Sequence, residues 1–375
     1  MKSFNAGAWI RQGSYKSFQP TPINRQWTVD DMEIQVLLSQ ADRHLGRLDM
    51  FSEYVPNIDL FIRMHVFKEA TKSSRIEGTR TRIDEALLER DDVPAEHRDD
   101  WEEVQNYVRA MDQGIASLGE LPISTRLIQD CHRLLMQGVR GEHKQPGEFR
   151  TSQNWIGGAS IRDAIFVPPV HTTIGELMSD MEHFIHNEEV HIPDLLKIAL
   201  VHYQFETIHP FLDGNGRVGR MLIPLYLVDK TVLKRPVLYL SDFFERNRTH
   251  YYDNLMRVRE KDDIAQWFKF FLVGIIETAK SGVETFDAIL QLKQETDEQL
   301  QTLGSRAANA AKVVHALYKH PFIDAEGVSR VCGLSMPPSY KLIAKLEKLQ
   351  ILKEITGARR NRMYVFERYL SLFQS

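Results

Sequence analysis

The chain has 375 residues, of which 43% are hydrophobic and 26% charged, as in soluble globular proteins and unlike disordered or collagen-like sequences. Lys plus Arg number 47 and Asp plus Glu 51, so the formal net charge of -4 excludes a chain-wide basic field that would attract nucleic acid or anionic lipid. Two cysteines are too few for a disulfide framework or a cysteine-based zinc site, which is compatible with a reducing cytoplasm.

Neither a signal peptide nor a membrane span is predicted. The N-terminal run Ala6–Ile10 is too short for the apolar core of a secretory signal and is followed at once by Arg11. The strongest apolar runs, Met221–Val228 and Phe270–Ile276, fall below the roughly 20 residues that a membrane-spanning helix needs. We therefore expect a soluble, cytoplasmic protein that does not associate with membranes.

Hydrophobic spacing predicts helices over most of the chain. Apolar residues recur at a helical period over Val29–Leu48 and Leu60–Ser74, and Gly78 follows as a stop signal. The same pattern predicts further helices over 98–117, 123–137, 171–188, 193–208, 215–229, 245–260 and 263–303. The main exception is Trp155–Val170, where short alternating apolar residues, turn residues and a closing double proline predict a small β-hairpin. The predicted fold class is all-α with this hairpin added.

The sequence changes character after the last of these helices. The stretch Val283–Leu303 is polar with spaced leucines and predicts a linker helix over 281–304. Three short helices and two strands around a basic turn follow it, over 307–319, 325–332, 337–349, 351–356 and 363–366. This order predicts a winged helix-turn-helix domain over 305–375.

The densest cluster of functional residues is the segment His209–Arg220. Two glycines flank Asn215, so the backbone can turn several N–H groups toward one point and bind an anion. The helix predicted to follow adds its N-terminal amides. Arg217 and Arg220 are three residues apart and can project from one helix face toward the same anion. The segment therefore predicts a polyphosphate site.

Two side chains in this segment are suited to chemistry. A neutral His209 can take a proton from a hydroxyl nucleophile, and Asp213 can hold Mg²⁺ against phosphate oxygens. Each feature alone has an ordinary interpretation as a structural histidine, a plain turn or a solvated arginine pair. Their concentration within one short segment favours the phosphate site.

The segment His209–Arg220 matches the Fic family motif, His-x-Phe-x-Asp-Gly-Asn-Gly-Arg-x-x-Arg, at every defined position. The segments Phe205–Ile208 and Pro146–Arg150 also look like the family core, so the resemblance covers residues 30–275. It implies an all-helical core with a hairpin flap, and the transfer of AMP from ATP to a protein hydroxyl with release of pyrophosphate. The expected domains are an N-terminal helical segment, a Fic catalytic core, the linker helix and the winged helix, over 1–110, 111–280, 281–304 and 305–375.

The resemblance implies a role for each motif residue. His209 would deprotonate a Ser, Thr or Tyr hydroxyl of a target or of the protein itself, Asp213 would hold Mg²⁺ and Arg220 would grip the γ-phosphate of ATP. The other expected nucleotide-binding residues are Gly214, Asn215, Gly216, Arg217, Val218, Gly219 and, for adenine, Tyr251. A glycine at position 216 favours AMP transfer, since relatives that transfer phosphate carry lysine there. The flap over 155–168 would pair with the target by β-augmentation, and we expect a homo-oligomer.

A second motif, Ser73–Gly78, fits the family's inhibitory pattern Ser/Thr-x-x-x-Glu-Gly/Asn. On a helix Ser73 and Glu77 share a face. The resemblance implies that Glu77 pairs with Arg220 and thereby removes the γ-phosphate clamp, because a carboxylate competes with phosphate for one guanidinium. Without the Fic motif, Glu77 would be interpreted as a solvated residue at a helix end. Relatives also use this glutamate to activate water for AMP removal, so a bifunctional enzyme is expected as well.

The C-terminal domain supports an alternative function, a DNA-binding winged-helix regulator with a vestigial or regulatory nucleotide site. Its predicted basic patch consists of Lys341, Lys345 and Lys348 on the third helix and Arg359, Arg360 and Arg362 on the wing. The start of that helix, Ser335–Ser339, offers few side chains that read base edges. We therefore expect protein docking or control of oligomeric state from this domain, with DNA binding through 305–375 as the alternative.

Overall fold

The structure, a computed structural model, describes residues 4–54, 58–138, 142–357 and 361–374. Most of the described residues are helical, which confirms the predicted helical class. The helices of the N-terminal half are α1 (Met32–Tyr54), α2 (Ile58–Ile76), α3 (Ile83–Ala86), α4 (Arg98–Ser117), α5 (Thr125–Leu135), α6 (Ile174–His186) and α7 (Asp194–Ile208). They continue with α8 (Asn215–Asp229), α9 (Ser241–Arg246), α10 (Arg248–Lys261) and α11 (Ile264–Gln301). None of the described helices is long and apolar enough to cross a membrane.

The long helix α11 organises the N-terminal half of the molecule. It packs along α1 and continues without a break past residue 280, so residues 281–301 of the predicted linker form the second half of α11. Its apolar stripe stays buried there through Val283, Phe286, Ile289 and Leu292. The spaced apolar residues of the polar stretch therefore form a packed face, as expected of an amphipathic helix.

A hairpin at the N-terminus was not predicted. Strands β1 (Gly7–Gln12) and β2 (Tyr15–Pro20) pair antiparallel around a turn in which Gly13 has a φ of 62°. Most of β1 is exposed, so its sequence lacks the alternation of apolar and polar residues on which a strand prediction depends. From β2, the Phe18 N–H donates to the Val167 carbonyl of the flap at 2.9 Å.

The flap itself is less regular than predicted. Over 155–168 the backbone forms one isolated bridge, between Ile156 and Phe166, where a two-stranded hairpin was expected. Gly157 and Gly158 turn the chain with φ of 70° and 76°, and Pro168 and Pro169 offer no N–H to a ladder. Few backbone hydrogen bonds therefore hold the flap, and side chains must position it.

The C-terminal region follows α11 as three helices and a small sheet: α12 (Ala307–Lys319), α13 (Ala325–Cys332), α14 (Met336–Lys348) and strands β3 (Phe322–Asp324), β4 (Lys353–Glu354) and β5 (Met363–Val365), before α15 (Glu367–Ser371). The strands pair antiparallel in the order β3-β5-β4, and β3 was not predicted. The region packs on α2, where the Phe61 ring lies 5.7 Å from Tyr318 and the His65 ring lies 5.1 Å from Phe373. The predicted basic residues Arg359 and Arg360 fall outside the described residues.

Candidate active site

The predicted phosphate loop connects the two helices α7 and α8. Helix α7 ends at Ile208, and His209 turns the chain with a left-handed φ of 51° while its N–H still donates to the Phe205 carbonyl at 2.9 Å. A non-glycine residue in this region needs support from its surroundings. Arg150 supplies it, because its Nε donates to the His209 carbonyl at 3.0 Å and its backbone N–H donates to the Pro210 carbonyl at 2.9 Å.

Asn215 shapes the loop through its side chain. Its Oδ1 accepts from the Phe211 N–H at 2.8 Å and its Nδ2 donates to the Phe211 carbonyl at 2.9 Å. Both ends of the amide are therefore used inside the loop, whereas the sequence predicted contacts with phosphates. The N–H groups of the first turn of α8 are the remaining phosphate donors in this segment.

Gly214 occupies a position that excludes a side chain. Its φ is 73°, and a β-carbon there would lie 2.8 Å from the Met136 sulfur. Just before it, the Asp213 carbonyl accepts from His132 Nε2 at 3.0 Å, while His132 Nδ1 accepts from the Gly147 N–H at 2.8 Å. Burial lowers the pKa of His132 to about 4, so this histidine is neutral and supports the loop.

Val218 and Gly219 lie further along α8 than the phosphate donors. The Val218 N–H donates to the Gly214 carbonyl and its side chain is buried in the core, so both groups already have partners within the protein. Gly219 faces α7, where a β-carbon would lie 2.3 Å from Glu206 Oε1. Its role in this structure is close helix packing.

His209 has the properties of a neutral acceptor. Burial lowers its pKa to about 3, and Nδ1 is buried with no hydrogen-bond partner among the described residues. An imidazole with so low a pKa accepts protons weakly. Negative charge placed beside it, as on a nucleotide triphosphate, would raise the pKa toward neutrality and strengthen it as a base.

Arg220 is held by the inhibitory motif, as the resemblance implied. Its Nη2 donates to Glu77 Oε1 at 2.7 Å and to the Ser73 carbonyl at 3.0 Å, and its Nε donates to Ser73 Oγ at 2.9 Å. The Arg220 side chain is 1% exposed and that of Glu77 is 34% exposed. Burial acts to raise the pKa of Glu77, but the charge and hydrogen bond of Arg220 outweigh it and the pKa lies below its ordinary value. The carboxylate is therefore ionised at neutral pH.

The end of α2 sets where Glu77 lies. The helix ends at Ile76, one residue before Glu77, whose N–H still donates to the Ser74 carbonyl at 3.0 Å. Gly78 then leaves the helix with a φ of 109°, a conformation that suits a helix end. Glu77 thus belongs to the terminal turn of α2 and not to its regular part, although Ser73 and Glu77 still contact the same guanidinium.

Arg217 departs from the prediction that both motif arginines face one anion. Its Nη1 donates to Glu103 Oε2 of α4 at 3.0 Å, and its Nη2 lies 3.8 Å from the Met136 sulfur. The two guanidiniums therefore pair with carboxylates from different regions, Glu103 in α4 and Glu77 at the end of α2, although residues three apart share a helix face. Neither Glu103 nor its role was predicted.

Tyr251, the residue predicted to contact adenine, is buried in this structure. The Tyr251 side chain is 1% exposed, and its hydroxyl donates to His202 Nε2 at 2.9 Å. His202 in turn donates from Nδ1 to the Gly219 carbonyl at 2.8 Å, so this pair supports α8 from the core side. The adjacent Tyr252, at 38% exposed, lies on the accessible side of α10.

Glu206 is a further carboxylate beside the loop that sequence reasoning missed. It is buried next to Gly219, and its Oε1 has no hydrogen-bond partner among the described residues. Burial raises its pKa to about 7, so the group is partly protonated at neutral pH. Nothing in a single helical sequence distinguishes such a residue from a solvated glutamate.

Asp213 fits the part of a magnesium ligand shared with a nucleotide. Its side chain is 51% exposed at the loop, and no group of three or more His, Cys, Asp or Glu side chains arranged for a metal occurs within the described ranges. Mg²⁺ is commonly held by one or two carboxylates together with substrate phosphates. A single accessible carboxylate next to phosphate donors has that chemistry.

Two family models match consecutive parts of the chain. The model described as Fic/DOC family N-terminal matches residues 35–116, and the model described as Fic/DOC family matches residues 122–227. The first match contains the inhibitory motif and the second contains the loop between α7 and α8.

Curated relatives carry the name of one enzyme. The chain is 26% identical to the protein adenylyltransferase Fic of Drosophila mojavensis, over 75% of this chain and 53% of that protein. It is 25% identical to a protein of Aquifex aeolicus (strain VF5) named probable protein adenylyltransferase, over 76% of this chain and 82% of that protein. The chain spans about half the length, or less, of the Drosophila relatives it matches.

Solved structures share the fold at low sequence identity. A Fic family protein from Desulfovibrio desulfuricans G20 matches with a TM-score of 0.59 and 18% identity, over 91% of this chain and 98% of that chain. Fic-1 (residues 134–508) from C. elegans matches with a TM-score of 0.51 and 18% identity, over 69% of this chain and 74% of that chain. The helical architecture that carries the loop is therefore shared.

Proposed function

Since the chain belongs to the Fic/DOC family, we propose that it is a protein adenylyltransferase, which transfers AMP from ATP to Ser, Thr or Tyr hydroxyls of target proteins and of itself. One observation carries this proposal: His209, the first-turn amides of α8 and Arg220 lie within one loop and the helix that follows it. Together they supply a proton acceptor, phosphate donors and a guanidinium.

In the proposed reaction the first-turn amides of α8 bind the α- and β-phosphates of ATP, and Arg220 binds the γ-phosphate. Nε2 of His209 takes the proton of the target hydroxyl as its oxygen attacks the α-phosphorus. The bond from the α-phosphorus to the bridging oxygen breaks, and pyrophosphate leaves. Asn215 holds the loop in shape throughout.

Asp213 would hold Mg²⁺ together with the phosphates, and the ion would supply charge neutralisation on the phosphate oxygens. The other proposed contacts with the nucleotide come from the first-turn amides of α8 and from Arg220. Arg217, paired with Glu103, is proposed to stiffen the start of α8, where it adds positive charge behind the loop.

We propose that Glu77 keeps the enzyme inhibited. The ion pair with Arg220 supports this, because the guanidinium that would grip the γ-phosphate is occupied by a carboxylate at 2.7 Å. Removal of AMP by water that Glu77 activates is a further proposed activity of the same site. The target would dock on the flap over 155–168.

For the C-terminal region, residues 305–375, we propose a winged helix. The order of α12, β3, α13, α14, β4 and β5 supports it, with an antiparallel sheet beside the helices. Its lysines Lys341, Lys345 and Lys348 are exposed. Contact with α2 supports a role in protein regulation, and no specific observation favours DNA binding by the described residues.

The experiment that tests the function is transfer of label from α-labelled ATP and Mg²⁺ to protein. His209→Ala should lower the transfer rate by roughly 10²–10⁴, because the proton acceptor is lost, and should leave the melting temperature close to that of the parent. The parent and His209→Ala chains should both carry Glu77→Gly in this comparison, so that Arg220 is free to bind the γ-phosphate. An unchanged rate in His209→Ala would refute the assignment of the base.

A further inference from the structure

The flap lies next to the proposed catalytic residue without a strand ladder to fix it. Its cross-strand backbone contacts within the described ranges are the hydrogen bonds that join Ile156 to Ile165 and Phe166, and one from the Phe18 N–H to the Val167 carbonyl. A segment held so weakly by its backbone is positioned by its side chains. The side chains that do this are those packed around Phe166.

Phe166 is buried and lies between two groups of different character. On one side are Trp9 and Phe18 of the N-terminal hairpin, with ring centroids at 5.9 Å and 6.0 Å. On the other side is the guanidinium of Arg259, whose central carbon lies 3.8 Å from the centroid of the Phe166 ring. This is a close, buried cation–π contact, the kind that is strongest because water is excluded.

Arg259 also holds the end of the helix that carries His209. Its Nη2 donates to the Glu206 carbonyl and its Nε to Thr207 Oγ1, both at 3.2 Å. Carbonyl groups in the last turn of a helix lack partners inside the helix, and a cation there is favourable. One planar side chain therefore stacks on the flap and hydrogen-bonds to the turn before His209.

Arg150 fixes the base of the same flap. Its guanidinium donates to the Ser152 carbonyl at 3.1 Å and the Pro169 carbonyl at 2.6 Å, on the two sides of the flap, and to the His209 carbonyl at 3.0 Å. The base is thus attached to the catalytic segment independently of Arg259. Arg259 adds a contact further along the flap, which fixes the position of Phe166.

We propose that Arg259 is a positioning residue. It fixes the position of Phe166 in the flap relative to His209, and so determines how well a target protein is presented to the base. The inference rests on the proposed function, since a target is held to dock on the flap. Arg259 makes no hydrogen bond to the phosphate loop among the described residues, and its partners lie on α7, α10 and the flap. Its loss should therefore affect the protein substrate and spare ATP.

The test uses the full chain with Glu77→Gly as enzyme and the full-length His209→Ala chain as acceptor, labelled in trans. Arg259→Met keeps an unbranched side chain but removes the guanidinium, with its charge and its donors. We expect it to raise the acceptor concentration at half-maximal rate by roughly five- to thirtyfold, with the Kd for ATP changed by less than about twofold. For Arg259→Lys, this acceptor concentration should lie between those of the parent enzyme and Arg259→Met, because lysine keeps the charge but lacks the planar donors.

Two further variants sharpen the result. Phe166→Leu keeps an apolar side chain but removes the ring, and it should reproduce the Arg259→Met phenotype from the other side of the contact. Arg257→Met is the matched control, since Arg257 lies on the same helix and pairs with Asp263 at the surface. Equal losses in ATP binding and acceptor use, or an effect of Arg257→Met as large as that of Arg259→Met, would overturn the proposal.

Hydrogen–deuterium exchange separates this inference from the proposed function. In Arg259→Met the amides of Ile165 and Phe166 should exchange at least about tenfold faster, while amides of α8 stay unchanged. This result does not require AMP transfer. Unchanged exchange at the flap refutes the positioning role, whereas faster exchange in a chain that labels no protein supports the positioning role and counts against the enzyme.

Discussion

The two motif arginines are each paired with a glutamate, but from two regions of different construction. Glu103 lies in the second turn of α4, with 18% of its side chain exposed, and holds Arg217. Glu77 lies just beyond the last residue of α2, with 34% exposed, and holds Arg220. The two ion pairs have similar distances, but the carboxylate belongs to a regular helix in the pair with Arg217 and to a residue just beyond a helix end in the pair with Arg220.

This difference determines what each pair can do. The Glu77 side chain is 34% exposed and lies beyond the end of α2, so it can leave Arg220 by a change of rotamer that leaves the buried Ser74 and Ile76 in place. Glu103 can leave Arg217 only if α4 moves or its side chain changes rotamer within a partly buried site. We therefore interpret the first pair as a releasable latch and the second as a fixed support for α8.

Of the two pairs, the latch gives the larger expected effect on AMP transfer. Glu77→Gly should raise self-labelling by roughly ten- to a hundredfold, because Arg220 becomes free for the γ-phosphate. The measurement is incorporation from α-labelled ATP. Glu77→Gln, which keeps the size of the side chain and removes its charge, should give a smaller rise. Lower labelling in both variants would mean that Glu77 assists the reaction and does not inhibit it.

The support should respond in the opposite direction. In the Glu77→Gly background, Glu103→Gln should lower labelling by roughly five- to tenfold and lower the melting temperature, because the buried Arg217 loses its charged partner. Glu102→Gln is the control, since the neighbouring Glu102 pairs with the exposed Arg90 at the surface. A rise in labelling by Glu103→Gln in the parent chain would make Glu103 a second latch and remove the contrast.

Much of this arrangement follows from sequence. Helical periodicity and the spacing of the motif residues indicated the helical class and the loop between α7 and α8, since these depend on local sequence. The pairing of Glu77 with Arg220 joins residues 143 positions apart and was expected only from the resemblance to the Fic family. Glu103 and Arg259 could not be predicted in the same way. Each is a charged residue on an amphipathic helix, and its partner is known only when the helices are packed.

Two other differences have equally simple causes. Successive residues on a helix point about 100° apart, so the burial of Tyr251 depended on the phase of α10, which the sequence pattern did not settle. Strand β1 is mostly exposed and lacks alternation, so the N-terminal hairpin was missed. Arg217 and Arg220 were expected to face one anion, but Arg217 pairs with Glu103 in α4 and Arg220 with Glu77 beyond the end of α2.

The smallest effect on labelling is expected at Glu206, a buried carboxylate beside Gly219 whose Oε1 has no hydrogen-bond partner among the described residues. We expect Glu206→Gln to change labelling by about twofold at most and to show instead in the pH dependence of stability. Burial raises the pKa of Glu206 to about 7 in the fold, above its ordinary value of 4.5, so the parent chain loses stability as pH rises from about 4.5 through 7. The variant lacks this loss.

Denaturant unfolding at about pH 5 and about pH 8 measures the difference between the two chains. Relative to the parent, Glu206→Gln should gain about 2 kcal/mol more at the higher pH than at the lower. Buried histidines such as His202 and His132 titrate in both chains, and their contribution cancels in the comparison. A difference that does not vary with pH would mean that Glu206 is already paired in solution, and the contrast between partnered and unpartnered carboxylates around Arg220 would fail.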